Sequence, residues 1–209
     1  MSKPSDPGAS AQASGNEAEG AKALMRQAAM ARRADAFARL GSAAGTALAT
    51  HGLGFAAAAP SAVVSAFLPI GEEIDPRPLL ERLRGEGHPT CLPVVVARGR
   101  PLVFRAWAPG APTRERMWGI AEPLESAPLL TPQVVLTPLL AFDSQGWRLG
   151  YGGGYYDRTL AQLRAQGDVV AIGLAYDAQR VDLVPHLDYD QRLDWVLTPS
   201  GPIDCRASG

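Results

Sequence analysis

Cysteine is scarce: Cys91 and Cys205 are the only two in 209 residues. A disulfide framework needs more thiols, and a zinc site needs them close together with histidine partners, so neither organises this chain. Cys91 reads as a core residue near a strand, and Cys205 as part of a loose tail. The three histidines, His51, His88 and His186, lack metal-ligand spacing and receive no role. No charge of one sign prevails either. Lys plus Arg number 20 against 21 Asp plus Glu, a formal net charge of -1, which excludes a global attraction to nucleic acid or an anionic membrane. A long hydrophobic run is also missing. Residues 43–69, the most apolar stretch, are interrupted by His51, several glycines, Pro60 and serines, whereas a membrane helix needs about 20 continuous apolar residues. The first twenty residues, MSKPSDPGASAQASGNEAEG, hold no apolar segment of the signal-peptide kind. The expectation is a soluble, cytoplasmic protein without nucleic-acid or membrane partners.

What is there is an ordinary globular composition, 46% hydrophobic and 20% charged, at a length that suits one domain. Residues 1–20, polar and small, predict a disordered arm, and residues 21–209 a single α/β domain. From Ala21 the run AKALMRQAAMARRADAFARL is dense in helix formers, with Gly41 as its stop. Residues 62–68 (AVVSAFL), 90–97 (TCLPVVVA), 101–106, 134–137, 168–175 (DVVAIGLA) and 194–197 (DWVL) read as strands. Residues 75–85 and 158–166 read as helices, the first with Leu79, Leu80 and Leu83 at helical spacing. Residues 107–132, rich in Pro, read as a long loop. Strands alternating with helices predict a three-layer, Rossmann-like α/β fold with a mainly parallel sheet. Ligands of such sheets bind beyond the carboxyl ends of the strands.

The stretch RLGYGGGYYD, residues 148–157, falls at such an end. Gly150, Gly152, Gly153 and Gly154 crowd together after a strand and just before a helix. Glycine lets backbone N–H groups approach an anion with no Cβ in the way, and a helix start adds unpaired N–H groups and a positive dipole end. Arg148 brings a fork of donors suited to phosphate oxygens. The bland alternative is a flexible turn, which Tyr155, Tyr156 and the charges at Arg148, Asp157 and Arg158 disfavour. No Lys-Ser/Thr follows the glycines, so this is not a Walker loop, and the third glycine of the dinucleotide fingerprint is absent.

Other candidates each carry two readings. Asp157 suits a helix N-cap or a Mg²⁺ ligand beside phosphates. Asp182, Asp188, Asp190 and Asp194 offer a second carboxylate, or only an acidic surface loop. Lys22, Arg26 and Arg33 share one helix face, as a solvated basic stripe or as cations completing a triphosphate site. Glu72 and Glu73 follow a strand and either face a ligand or precede a helix whose dipole favours them. Trp107 and Trp118 are core plugs or platforms for a flat heterocycle.

Together these residues resemble a known family. AFDSQGWRLGYGGGYYDRTL is similar to the signature of the 5-formyltetrahydrofolate cyclo-ligases, also called methenyltetrahydrofolate synthetases. Members carry Pro-x-x-Ala/Gly-Phe-Asp and then Arg-Leu-Gly-x-Gly-x-Gly-Tyr/Phe-Tyr-Asp, here residues 138–143 and 148–157. Lys22 and Arg26 match the family's Lys-x-x-x-Arg; FLPIGEEID, the element ending Glu122-Pro123, and GLAYDAQRVDLVP resemble further blocks in the family's order. The resemblance implies the fold of the NagB/RpiA/CoA-transferase-like group and an ATP- and Mg²⁺-dependent closure of 5-formyltetrahydrofolate, with or without a polyglutamate tail, to 5,10-methenyltetrahydrofolate by a monomer. It implies that Lys22, Arg26, Arg148, Leu149, Gly150, Tyr151, Gly152, Gly153, Gly154, Tyr155 and Tyr156 hold ATP. Leu68, Glu73, Trp118 and the backbone from Tyr151 to Tyr155 would line the folate. Asp157 and Asp190 would hold Mg²⁺, and Arg148, Tyr155 and Asp157 would be the catalytic group.

The chain departs from the pattern in places. Leu187, Tyr189 and Arg192 stand where the family often has Glu, His and Pro, Gly153 stands where some members carry Lys, and Leu139 replaces a frequent Gly. A non-catalytic reduced-folate or nucleotide-binding module of the same fold is the competing reading, and the altered closing block is its support.

Overall fold

Short β-branched runs, apolar on both faces, become the strands of a seven-stranded sheet in the computed structural model, which describes residues 7–115 and 119–206, with side chains from residue 18 onward. Strands β1 (Val64–Ser65), β2 (Thr90–Val94), β6 (Val134–Thr137), β9 (Val170–Leu174) and β10 (Trp195–Thr198) lie parallel. At the edges β3 (Val103–Ala106) and β11 (Gly201–Asp204) pair antiparallel with β2 and β10. The order is β11-β10-β9-β6-β1-β2-β3. From β1 the chain steps outward to β2 on one side, then returns to β6 on the other. That reversal opens a crevice beyond the carboxyl ends of β1 and β6, the place where open α/β sheets bind ligands.

Period-two alternation distributes the side chains over two cores. Val134, Leu136, Ile172, Leu174 and Leu197 join Ala36 of helix α1 (Pro7–Leu40), Ala44 and Leu48 of α2 (Ser42–His51), and Leu79, Leu80 and Leu83 of α3 (Arg77–Gly85). On the opposite face Val135, Ala171 and Val196 meet Leu160 and Leu163 of α4 (Tyr155–Arg164). Helices therefore cover both faces of a mainly parallel sheet, the three-layer arrangement expected.

Several local expectations are corrected. Residues 7–20, expected in a disordered arm, are helical, because α1 starts at Pro7. Ala, Gln and Glu are strong helix formers, and extending an existing helix avoids the cost of nucleation. Gly41, at φ 50°, does end α1, but α2 follows at once. Residues 107–132, expected as a long, partly ordered loop, take their order from β4 (Thr113–Glu115) and β5 (Ala121–Pro123), which pair antiparallel. No helix among the described residues is long and apolar enough to cross a membrane.

A second hairpin, β7 (Ala141–Phe142) with β8 (Arg148–Leu149), follows β6 and delivers the glycine loop. Its turn depends on Asp143, which is fully buried. Asp143 Oδ1 accepts the N–H groups of Gln145 (2.9 Å) and Trp147 (3.1 Å), and Oδ2 accepts that of Val184 at 2.9 Å. One carboxylate thus shapes the hairpin and anchors the segment that leads to Asp190.

Cys205 does not sit in a loose tail. It follows directly on β11, its N–H donates to Asp194 O at 3.0 Å, and it is as completely buried as Cys91. Burial pushes the Cys91 thiol up to about 12 and Cys205 up to about 11. Both are thiols, not thiolates, at pH 8, and the thiolate is the reactive form. A disulfide reagent at pH 8 is expected to leave both unmodified in the native protein and to titrate both once denaturant is added. Rapid native modification of Cys205 would contradict its place in the core.

Candidate functional site

The glycine loop connects β8 to α4, and its conformation follows from its residues. Gly152 has φ 93° and Gly154 φ 62°, a region where a side chain is strained. A Cβ at Gly154 would also stand 2.7 Å from Nη1 of Arg158. Two arginines hold the loop's carbonyls: Arg26 Nε donates to Gly150 O at 3.0 Å, and Arg158 Nη2 to Gly153 O at 2.5 Å. With those oxygens engaged, the N–H groups are left over. Among the described residues none of the N–H groups of Gly150, Tyr151, Gly152, Gly153 and Gly154 has an acceptor. Gly154 is the N-cap of α4, so the positive end of the helix dipole lies at the same run. Unpaired donors at the positive end of a helix make an anion-binding concavity.

Asp157 is not the N-cap. Helix α4 begins at Tyr155 rather than at 158, which places Asp157 in the first turn with its carboxylate turned sideways. There Oδ1 accepts Arg148 Nη2 at 2.8 Å and the Gln191 N–H at 3.0 Å. Arg148 donates its Nη1 to Gln191 O at 2.5 Å and is only 5% exposed. Burial pulls the Arg148 pKa down from the ordinary arginine value, while the carboxylates of Asp157 and Asp190 pull it back up. Asp190 Oδ2 accepts Lys22 Nζ at 2.5 Å and the Leu187 N–H at 2.7 Å.

The basic face of α1 is not a solvated stripe. Lys22 and Arg33 are buried, and from N- to C-terminal end the face meets Asp190, the glycine loop and the β1–α3 connection in turn. Arg33 Nη1 donates to the Tyr151 hydroxyl at 2.6 Å; its Nη2 lies 3.4 Å from Glu72 Oε2, and Nη1 lies 3.8 Å from Glu73 Oε1. Glu73 is buried, and its Oε2 accepts the Ile70 N–H at 2.9 Å. Burial raises its pKa, opposed by that hydrogen bond, by Arg33 and by Tyr151. Phe67, Glu73, Arg33 and Leu139 line the crevice at the switch point, and Leu68 stands half-buried beside it.

Other candidates separate from this cluster. Asp194 is structural: its Oδ2 accepts the Ala171 N–H at 2.7 Å and Arg164 at 3.0 Å. Asp182 and Asp188 are exposed. Trp107 is core, with its indole N–H on Ala111 O at 3.2 Å. Trp118 lies outside the described residues. A Cβ at Gly153 would stand 2.9 Å from Cδ2 of Tyr155, so a lysine there needs the Tyr155 ring to move. Arg158, which the sequence marks only as a flanking charge, holds the loop through Gly153 O; the signal for that role is its position four after Gly154.

A Mg²⁺ ion takes hard oxygen donors, often one or two carboxylates with the rest from phosphates and water. Asp157 and Asp190 fit that demand. Both border Gln191, and Oδ2 of Asp157 and Oδ1 of Asp190 receive no hydrogen bond from the described residues.

Fold and loop define an open-sheet α/β protein whose glycine-rich, donor-rich loop stands at the switch point. The sequence model of the 5-formyltetrahydrofolate cyclo-ligase family matches residues 18–199. The 5-formyltetrahydrofolate cyclo-ligase of Escherichia coli strain K12 is 37% identical over 143 residues, 66% of this chain and 78% of that one. That of Haemophilus influenzae is 35% identical over 130 residues, 60% and 69% of the two chains. The NMR structure of Aquifex aeolicus 5,10-methenyltetrahydrofolate synthetase matches in fold with a TM-score of 0.68 at 24% identity, over 88% of this chain and 93% of that one. The chain belongs to the 5-formyltetrahydrofolate cyclo-ligase family.

Arg148→Met removes the donor shared by Asp157 and Gln191 O. The expected cost is about 2 kcal/mol by urea denaturation, below the usual 3–5 kcal/mol for a broken buried pair because Asp157 is 22% exposed. An unchanged midpoint would show that the pair does not hold this corner together.

Proposed function

We propose that this chain closes 5-formyltetrahydrofolate to 5,10-methenyltetrahydrofolate with conversion of ATP to ADP and phosphate. The observation that carries the phosphate half of this reading is the run of acceptor-free N–H groups from Gly150 to Gly154, fringed by Arg26, Arg148 and Arg158. Family membership supplies the folate half.

In the proposed reaction the formyl oxygen attacks the γ-phosphorus and ADP leaves. N10 then adds to the activated formyl carbon and gives up its proton to the departing phosphate or to water, and phosphate leaves with the former formyl oxygen. Little covalent chemistry falls to the protein, so its contribution is positioning and neutralisation of phosphate charge. Lys22, Arg26, Arg148 and the backbone from Leu149 to Tyr156 would hold the triphosphate. Leu68, Glu73 and the loop from Tyr151 to Tyr155 would face the folate, and Trp118 is assigned to its ring by family likeness alone. Asp157 and Asp190 would hold Mg²⁺, which supplies further charge neutralisation at the phosphates. Arg148 would hold Asp157 in its orientation, and Lys22 would do the same for Asp190. Tyr155 ends the loop and starts α4, which fixes where the free N–H groups point.

The purified protein with Mg-ATP and 5-formyltetrahydrofolate is expected to produce the methenyl absorbance, and no absorbance without ATP. Asp157→Ala should lower kcat by at least 100-fold, about 2.7 kcal/mol in the barrier, with its circular dichroism unchanged. Binding of both ligands without turnover would make the chain a non-catalytic module. Phosphate release only with other formylated or carboxylated compounds would move the reaction to another substrate.

A further inference from the structure

A buried arginine normally secures its charge with a close, bidentate carboxylate. Arg33 does not. Its side chain is 5% exposed, its one short contact is the neutral Tyr151 hydroxyl at 2.6 Å, and its two carboxylates stand off at 3.4 and 3.8 Å. Its Nε has no partner among the described residues. As a device for stability this is poor, because burying a guanidinium costs several kcal/mol that only good geometry offsets. As a device for position it makes sense. Arg33 lines the switch-point crevice with Glu73 and reaches two separate elements: Glu72 and Glu73 after β1, and Tyr151 on the glycine loop after β8. The loosely held carboxylates keep acceptor capacity for a ligand.

We propose that Arg33 is a positioning residue that joins the folate side of the site, at Glu73, to the phosphate side, at Tyr151, and keeps the Glu73 carboxylate ionised in its buried setting. The proposal rests on the reading of the site given above. It explains why a cation sits on α1 one heptad beyond Arg26, deep in the crevice, where no phosphate contact requires it. Two reacting groups must be brought to about 3–3.5 Å with aligned orbitals for an intramolecular advantage. A link between the two half-sites is what holds that separation.

The charged and titratable groups that face Glu73 are Arg33 from α1, Tyr151 from the loop and Tyr156 from α4, while the Ile70 N–H donates to it from its own connection. Burial holds the Glu73 pKa above the ordinary carboxylate value, and Arg33 works against that rise. With the folded value above the unfolded one, Glu73 binds its proton more readily in the native state. Its contribution to stability is therefore present below the unfolded pKa and is lost as pH rises through the folded one. Removing Arg33 moves the folded value further up.

The test is a ¹³C NMR titration of the Glu73 carboxyl in the ligand-free full chain, in wild type, Arg33→Gln and Arg33→Lys, paired with 5-formyltetrahydrofolate binding by calorimetry. The expected result is an upward move of the Glu73 midpoint in Arg33→Gln, restoration of most of it in Arg33→Lys, and about tenfold weaker folate binding in Arg33→Gln near neutral pH, about 1.4 kcal/mol. In wild type the Arg33 Nε–H resonance should shift with the Glu73 midpoint, a readout that does not depend on any variant folding. An unmoved Glu73 midpoint with only a lowered melting temperature would overturn the proposal and leave Arg33 as a docking residue for α1. Wild-type protein that binds no folate would remove the proposed function, while the titration would still decide the role of Arg33.

Discussion

The buried guanidinium of Arg148 is the constraint on which the rest of the site depends. It donates to Asp157 in the first turn of α4 and to the carbonyl of Gln191, next to Asp190. Asp157 closes the ring by accepting the Gln191 N–H. Arg148 opens the two-residue strand β8, two positions before Gly150, so a single side chain fixes where the loop begins, how α4 is set, and where the closing segment passes. The loop's N–H groups can stay unpaired only because the surrounding chain is held by other means. Arg26 and Arg158 on its carbonyls, and Asp143 under the hairpin, complete that support.

Helix α1 adds a second constraint from outside the sheet. Its N-terminal half reaches Asp190 through Lys22, its middle reaches the loop through Arg26, and Arg33 enters the crevice. Ala29, completely buried, brings the helix down on Leu140, Ala141 and Leu149 of the second hairpin. Small residues on that face allow the close approach the cations need. The site is therefore built from four separate lengths of chain, α1, the β1–α3 connection, the glycine loop and the segment of Asp190, none of which makes it alone.

How much of this was legible varies with the physics of each part. The parallel strands announced themselves as short apolar runs, since burial on both faces leaves little choice of residue. The glycine loop was legible because positive φ at Gly152 and Gly154 restricts what residue stands there. The start of α4 was misplaced, because Tyr155 and Tyr156 carry no strong helix signal, and with it Asp157 was given an N-cap alternative. The reach of α1 back to Pro7 and the existence of α2 were missed because Ala, Gly and Ser are compatible with helix and with loop alike. Cys205 was misread since β11 is a short edge strand whose Gly and Pro resemble a tail. Burial of the Lys22 and Arg33 charges depends on partners such as Asp190 and Tyr151 that are remote in sequence, and no local pattern reveals that.

The central claim is that the free N–H groups between β8 and α4 receive the polyphosphate of a nucleotide. A titration of ¹⁵N-labelled protein with Mg-ATP, and separately with AMP, addresses it most directly. Large downfield amide shifts are expected at Gly150, Gly152, Gly153 and Gly154 with Mg-ATP, and small ones with AMP, which lacks the charge the loop is built to hold. Shifts of equal size with both ligands, or shifts confined to another face of the sheet, would contradict it.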